Sequence, residues 1–389
     1  MKKIVQEQRV CSPCSRHPMM TGLFIIGLTV WIALGQSQAQ EQHYTIKDIG
    51  TLPGLKTSQP SALNDQGELT GTATEGEFGH AFLYFNGLEK DQLEQLGNLG
   101  SRGFGIDPTG VVVGDAFVVA DFGPVSHAAL FKGNDVIDLG VLNGQVFSRA
   151  NSVNTTHQVV GFSGQARDSG QSRAFIWTSA TGMIDIGTLG GAYAQTNAIN
   201  DAGFVTGTSE VADTFVPGAT HAFIYQPLSQ TEQNTAEMRD LGTLGGNISS
   251  GTSINSSNHV AGNSTISPTD DRVHAFFHDG KSMIDLGSLA SEGIGEYSSA
   301  LAMNNNDQVV GVSYSTTGNR DQFNQAAFVW TNDSKPENRL VNLNALVGTE
   351  AKSLWLLTAV AINDRGEIAA TAYDYGDKTV RAVLLTPTK

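Results

Sequence analysis

The sequence predicts an all-β protein, a seven-bladed β-propeller of four-stranded repeats. Three observations predict it. One pattern recurs seven times: Asp-Leu-Gly-Thr-Leu-Gly-Gly, then Ala-Ile-Asn, then Gly, then His-Ala-Phe. Its clearest copy is Asp185–Gly191, Ala198–Asn200, Gly207 and His221–Phe223. The Asp-Leu-Gly elements start at Asp48, Gln95, Asp138, Asp185, Asp240, Asp285 and Asn342, spaced 47, 43, 47, 55, 45 and 57 residues apart. Four short strands in a unit of that length make one propeller blade. Lastly, the chain opens with a lone fourth strand, His43 to Ile49, and ends after a third, Arg381 to Leu385. Pairing of the N-terminal strand with the last blade would close the ring and leave no exposed sheet edge.

Taken in order, residues 1–39 read as a secretory signal peptide. Lys2, Lys3, Arg9 and Arg16 precede an uncharged apolar run from Leu23 to Leu34, and Ser37-Gln38-Ala39 offers small residues at the cleavage positions. The run is short for a membrane span. Translation could equally start at Met19 or Met20 as at Met1. Cys11 and Cys14 both lie in this segment, so no disulfide or zinc site is expected in the exported chain. No anchor is expected after Pro387-Thr388-Lys389. Without residues 1–39 the 23 basic and 38 acidic residues become 19 and 37, a net charge of −18. Such a surface repels nucleic acid and anionic lipid.

Residues 40–389 are expected to form a single propeller domain. The first strand of a unit surrounds Ala198-Ile199-Asn200, and its small residues (Ser61-Ala62, Ala150-Asn151-Ser152, Ser299-Ala300) suit the crowded axis. A turn follows at Asn200-Asp201-Ala202-Gly203, repeated as Asn64–Gly67 and Asn363–Gly366. The second strand runs from Phe204 to Thr208, and the third from His221 to Tyr225 after a variable loop. The fourth ends at Asp-Leu-Gly. Asn86-Gly87 and Asp279-Gly280 mark the turn between third and fourth strands. The glycines of Gly-Thr-Leu-Gly-Gly allow the crossing to the next blade, and its leucine (Leu52, Leu99, Leu142, Leu189, Leu244, Leu289) is expected to fill the gap between blades.

These residues resemble the HAF family of extracellular repeat proteins, named for the His-Ala-Phe step. His80-Ala81-Phe82, His221-Ala222-Phe223 and His274-Ala275-Phe276 match it fully; His127-Ala128-Ala129, Arg173-Ala174-Phe175, Ala326-Ala327-Phe328 and Arg381-Ala382-Val383 depart from it. The resemblance implies an exported bacterial repeat protein and carries over no catalytic residue.

Candidate chemistry is sparse. His80, His127, His221 and His274 occupy one equivalent position on separate blades, so a hydrogen bond to the Asp of Asp-Leu-Gly is expected rather than a metal shell. Ser163, Ser209, Ser264 and Ser313 alternate with Ala73, Ala116 and Ala372, which asks for small size rather than a nucleophile. Gly97 to Gly105 lacks the lysine and helix of a phosphate site. Asn304-Asn305-Asn306-Asp307 has oxygens suited to calcium but falls at an inner turn. No cofactor is expected.

One feature points to binding. The loops between second and third strands carry acid in every unit: Glu75 and Glu77; Asp115 and Asp121; Asp168; Glu210 and Asp213; Asp270 and Asp271; Asp321; Asp374 and Asp377. With Phe117, Phe122, Phe215, Tyr314 and Phe323 they would form an acidic and aromatic rim for a cationic, carbohydrate or protein ligand. The expectation is a monomeric, periplasmic or extracellular binding or scaffold module without chemistry of its own. The alternative is a propeller lyase or glycoside hydrolase. That reading requires unlike His, Arg, Tyr or paired carboxylates on adjacent inner loops, and the insertions Gln226–Met238 and Thr331–Asn338 fall on the opposite, outer side and do not supply them.

Overall fold

Short runs of small and aliphatic residues, broken by turn residues, can form only short antiparallel strands. The computed structural model describes residues 43–74, 79–86, 91–96, 100–120, 123–133, 135–165, 171–212, 216–227, 237–316, 324–332, 340–348 and 353–388. These hold twenty-eight strands in seven four-stranded sheets. The first strand, β1 (Tyr44–Asp48), stands alone in sequence. Blade 1 takes β2 (Thr57–Leu63), β3 (Leu69–Thr74), β4 (Gly79–Asn86) and β5 (Asp91–Leu96). Blade 2 takes β6 (Arg102–Ile106), β7 (Val112–Ala120), β8 (Gly123–Lys132) and β9 (Asp135–Gly140). Blade 3 follows with β10 (Phe147–Val153), β11 (Val159–Gly164), β12 (Ser172–Thr178) and β13 (Gly182–Asp185). Blade 4 holds β14 (Gly190–Ile199), β15 (Val205–Val211), β16 (Thr220–Gln226) and β17 (Glu237–Asp240). Blade 5 holds β18 (Ser249–Ile254), β19 (Val260–Ser267), β20 (Asp270–His278) and β21 (Met283–Asp285). Blade 6 holds β22 (Tyr297–Met303), β23 (Gln308–Tyr314), β24 (Gln325–Thr331) and β25 (Leu340–Asn342). The last blade takes β26 (Leu354–Ile362), β27 (Ile368–Asp374) and β28 (Thr379–Pro387).

That last sheet has the order β1-β28-β27-β26, so the N-terminal strand completes it. Tyr44 to Asp48 pair antiparallel with Pro387 to Val383. Arg381 Nη1 reaches Asp48 Oδ2 at 2.5 Å across the same pair. The expected closure is therefore present. The strands expected from Phe204, His221 and Arg381 run one to three residues past their expected C-terminal ends, because hydrogen-bonded pairing continues beyond the repeated motif, whereas β1 is one residue shorter at each end than His43 to Ile49.

The glycines of the second strand explain how the inner strands bend. A Cβ on Gly71, Gly161, Gly207 or Gly311 would lie about 2 Å from a carbonyl oxygen of the neighbouring inner strand. The first-to-second strand registers carry a β-bulge at this level (Pro60/Ala62, Ala150/Ser152, Thr196/Ala198, Ala300/Ala302). The bulge turns the inner strand toward the axis, and only glycine leaves room beneath it.

The core lies between blades. The middle residue of each His-Ala-Phe step (Ala81, Ala128, Ala174, Ala222, Ala275, Ala327, Ala382) is completely buried. Phe82, Phe175, Phe223, Phe276 and Phe328 fill the layer beside it. Among the crossing leucines, Leu52, Leu142 and Leu289 are buried, and Leu289 packs with Phe277, Phe328 and Trp330 between blades 5 and 6. Leu189 and Leu244 are half-buried, and Leu99 lies outside the described residues. The plug is thus strongest where the neighbouring blade offers bulky aromatics. Leu289→Ala is expected to cost about 2–4 kcal/mol through a cavity that rigid rings cannot fill, and Leu189→Ala clearly less. Urea unfolding of both variants checks the ordering.

Candidate ligand-binding site

The seven turns joining first to second strands converge on the axis. Each begins at a buried residue of one class: Asn64, Asp107, Asn154, Asn200, Asn255, Asn304 and Asn363. Its side-chain oxygen accepts the backbone N–H four residues on, as in Asn154 from Gln158 at 2.9 Å and Asp107 from Val111 at 3.0 Å. Its amide also donates across to the backbone carbonyl of the matching residue in the next blade. Six such bonds occur: Asn64 to Asp107, Asn154 to Asn200, Asn200 to Asn255, Asn255 to Asn304, Asn304 to Asn363, and Asn363 to Asn64, at 2.8–3.4 Å. An amide can accept in its own turn and donate to the next, whereas a carboxylate can only accept. Asp107 cannot donate. At that seam His157 Nε2 lies 3.0 Å from Asp107 Oδ2 instead.

The second N–H of each ring amide is satisfied in one of two ways. Asn64, Asn154, Asn304 and Asn363 use the side chain four residues on: Glu68, Gln158, Gln308 and Glu367. In those cases the next blade places glycine at the left-handed turn position (Gly110, Gly203, Gly366 and Gly67). A Cβ on Gly110 would meet Glu68 Oε2 at 3.2 Å, and one on Gly203 would meet Gln158 Oε1 at 3.3 Å. Asn200 and Asn255 are followed by Phe204 and His259, which offer no such acceptor. There the next blade supplies Asn258 Oδ1 at 2.8 Å and Asp307 Oδ1 at 2.7 Å. Asn258, Asp307 and His157 hold φ of 61°, 56° and 58°, a conformation side-chain-bearing residues seldom take. Each of the three reaches back to the ring residue of the preceding blade.

This ring frames a cavity of about 440 Å³, lined by residues of six blades, so it lies on the axis. Its wall is aliphatic: Leu63, Ile106, Ile199, Ile254, Met303 and Ile362. Its rim is polar and includes Asp65, Asp201, Asn305 and Asp364. The Asn-Asp-x-Gly turns held these residues in plain sight, but read as turn chemistry alone they did not suggest a site.

The inner strands of blades 2 and 3 break the repeat. Arg102 Nε bonds Asp115 Oδ1 at 2.8 Å, its Nη2 engages the other oxygen, and Arg149 Nε lies 3.3 Å from Asp115 Oδ2. The Arg149 guanidinium sits 4.6 Å from the Phe104 ring centre and 5.6 Å from that of Phe162. Equivalent inner positions hold Gln59, Gln195, Ser250 and Ser299. This cluster lies on strands β6, β7 and β10 rather than on the adjacent inner loops, where none was expected. The reading of Asp115 is corrected: this residue lies in a strand, 1% exposed and bound by two arginines, rather than in a loop.

Of the other proposed acids, Glu75, Glu77, Asp121, Asp168, Asp213 and Asp321 lie outside the described residues. Glu210 accepts the Ala192 N–H at 2.8 Å. The side-chain hydrogen bond from Arg272 holds the Asp270 carboxyl below the usual range. Asp271 accepts the Tyr297 hydroxyl at 3.2 Å, and Tyr297 stacks on Tyr314. Asp374 and Asp377 both pair with Arg381. Phe117 is exposed; Phe122, Phe215 and Phe323 lie outside the described residues. Of the six described acids, only Asp374 and Asp377 share a partner, and Glu210, Asp270, Asp271 and Asp374 prove, like Asp115, to be strand residues rather than loop acids.

Three of the four histidines bond as expected; His80 does not, because Gln95 stands where the units of the other three have aspartate, and its Nδ1 is buried without a hydrogen-bond partner among the described residues. His127, His221 and His274 meet Asp138, Asp240 and Asp285 through Nδ1 at 2.8–3.0 Å, and Arg173 and Arg381 meet Asp185 and Asp48. The same carboxylates accept the glycine N–H two residues on. The serines need a correction, since their hydroxyls are used: Ser163, Ser209, Ser264 and Ser313 accept the N–H of Leu142, Leu189, Leu244 and Leu289. The Asn304–Asp307 oxygens are engaged within the ring, with Asn304 Oδ1 accepting from Asn306 and Gln308, and Asp307 Oδ1 serving Asn255 and His259.

With this geometry in hand, the comparisons can be placed. A family described as "Protein of unknown function (DUF3466)" matches residues 191–382. No curated protein matches the chain. A similar solved structure is the β-propeller domain of the Trilobed protease from Pyrococcus furiosus, described as having an open velcro topology. It is 8% identical with a TM-score of 0.51, over 86% of this chain and 99% of that one. TolB from Acinetobacter baumannii aligns at 11% identity and a TM-score of 0.38, over 86% of this chain and 79% of that one. The chain is a seven-bladed β-propeller.

Two measurements follow from the site. Asp307→Gly removes the acceptor serving the Asn255 amide and should cost about 1–3 kcal/mol. Adding His259→Gln returns an acceptor four residues after Asn255 and should recover much of that loss, which denaturant unfolding of single and double variants reads. The second concerns His274, whose pKa is raised by its hydrogen bond to Asp285 against the opposing effect of burial. Burial pushes the Asp285 carboxyl up, but hydrogen bonds from His274 and the Gly287 N–H leave it below the ordinary range. A raised histidine stabilises fully below its unfolded value, about 6.5, and loses this as pH rises through the folded value. A lowered aspartate stabilises above about 3.9 and loses this as pH falls through its folded value. The stability advantage over His274→Gln is therefore expected to peak between about pH 4 and 6.5 and shrink by pH 9.

Proposed function

We propose that this protein is an exported, non-enzymatic β-propeller that works as a binding or scaffold module, taking its ligand on the axis at the asparagine-ring face. The observation that carries this reading is the axial cavity. Its volume of about 440 Å³ is that of a small-ligand site. It is concave, it combines an apolar wall with convergent polar groups, and the amide ring fixes its shape before any ligand arrives. Preorganisation of that kind lowers the ordering cost of binding. The rim oxygens and amides are hydrogen-bond partners of one another, which suits recognition more than proton transfer.

Export rests on the signal-like N-terminus: the basic residues Lys2, Lys3, Arg9 and Arg16, the apolar run Leu23 to Leu34, and Ser37-Gln38-Ala39. The periplasm or the medium is then the place of action, and the net charge of −15 favours neutral or cationic partners there.

The test is thermal unfolding of the purified protein against divalent cations, glycans and polyamines. A ligand-dependent rise in melting temperature is expected. Ala202 lines the cavity, and Ala202→Trp, which fills it, should abolish the rise without lowering the unliganded midpoint. A rise that survives Ala202→Trp would move the site elsewhere on the propeller.

A further inference from the structure

We propose that the axial cavity receives an aliphatic ammonium group, carried by a free polyamine or by a lysine side chain. This rests on the binding-module reading and names the ligand class for the same cavity. The wall formed by Leu63, Ile106, Ile199, Ile254, Met303 and Ile362 offers no hydrogen bond and would otherwise face water. It matches a methylene chain. Above it, the residue following each ring position is a carboxylate in three blades, Asp65, Asp201 and Asp364, and no lysine or arginine lines the cavity. An anion would meet three like charges in a chain already at −15.

The carboxylates are held in place by the fold. Asp201 Oδ1 accepts the Thr155 N–H at 3.0 Å, and Asp65 Oδ1 accepts the Asp364 N–H at 2.8 Å. Asp364 takes the Asn305 N–H and side-chain amide at 2.8 and 2.7 Å. The second oxygens of Asp65 and Asp201 make no hydrogen bond among the described residues, and a charge-assisted bond to an ammonium group fits them. A compact metal ion fits less well. Among the described residues no three acidic, histidine or cysteine side chains stand close enough to share one, and the aliphatic wall offers it no ligand. An elongated cation uses both wall and rim.

Calorimetric titration with spermidine, 1,5-diaminopentane and N-acetyl-lysine amide, with 1,5-pentanediol as the uncharged control, tests the proposal. The ammonium probes are expected to bind, more weakly as salt rises, and the diol not to bind. In the D65N/D201N/D364N variant the amide oxygens still accept the same backbone N–H groups and only the exposed Asn305 side-chain bond to residue 364 is lost, so the melting temperature should fall little while affinity falls at least tenfold. Binding of the diamines alone assigns a free polyamine, and binding of the lysine amide alone assigns a lysine side chain. Unchanged affinity in the triple variant, equal binding of the diol, or no binding of any ammonium probe overturns the proposal. If another probe raises the melting temperature and Ala202→Trp abolishes that rise, the binding cavity stands and only the ammonium chemistry falls.

Discussion

The amide ring at the axis is the constraint from which the rest of the structure follows. A propeller blade has two apolar faces and little intrinsic reason to choose one spacing from its neighbour. The side chain of Asn154, Asn200, Asn255, Asn304 or Asn363 holds its own turn shut and also bonds the next blade's turn. Turn geometry and blade spacing are thereby one variable. Because Asn363 bonds back to Asn64 across 299 residues of sequence, the ring is closed by side chains as well as by strand β1. Each link is worth only about 1 kcal/mol net, yet a buried amide left unpaired would cost more, so the ring selects against partial closure more than it adds stability.

A second seam runs further out and uses different chemistry. Buried Ser148, Ser249 and Ser298 on the inner strands accept the N–H of Ala128, Ala222 and Ala275 in the preceding blade. They donate to the carbonyls of Gly140, Gly242 and Gly287, at the crossings. The carboxylates of Asp138, Asp240 and Asp285 fix those same glycines and hold the histidines at the start of the third strand. The repeated Asp-Leu-Gly and His-Ala-Phe steps are therefore two halves of one hydrogen-bonded junction, with the Ala buried because the serine behind it leaves no space for a larger side chain. Hydroxyls, carboxylates and small size are all needed at once.

The fold was legible in the sequence because its determinants are local and periodic. Turn residues bound each strand, the period counts the strands, and a lone fourth strand at one end with a last unit one strand short at the other implies closure. The histidine-to-aspartate bond was legible for the same reason, since both residues recur at fixed offsets. The ring was not. Its rule links Glu68 to Gly110 and Asn200 to Asn258, residues some forty to sixty apart that meet only when blades are laid side by side. Asp115 was misread for another reason. It follows Gly114 at the position that Thr72, Phe162, Thr208, Asn263 and Val312 hold in other blades, which lies inside the second strand and not in the loop beyond it, so it faces Arg102.

The departures from the repeat gather at one seam. Between blades 2 and 3 the amide donor is missing, and Asp107 meets His157 instead; along the inner strands of the same two blades, Asp115 holds Arg102 and Arg149. Both carboxylates are buried, while their partners His157, Arg102 and Arg149 remain partly exposed. Removing one partner from such a pair leaves a desolvated charge, a larger penalty than losing an amide link. The other seams combine amide links with polar groups of their own, as where His259 meets Asp307 between blades 5 and 6. What sets blades 2 and 3 apart is a carboxylate in place of the ring amide, and two arginines on one buried aspartate. The residues that line the axial cavity come from the other six blades, so the blade whose His157 meets Asp107 is also the one that sends none to its wall.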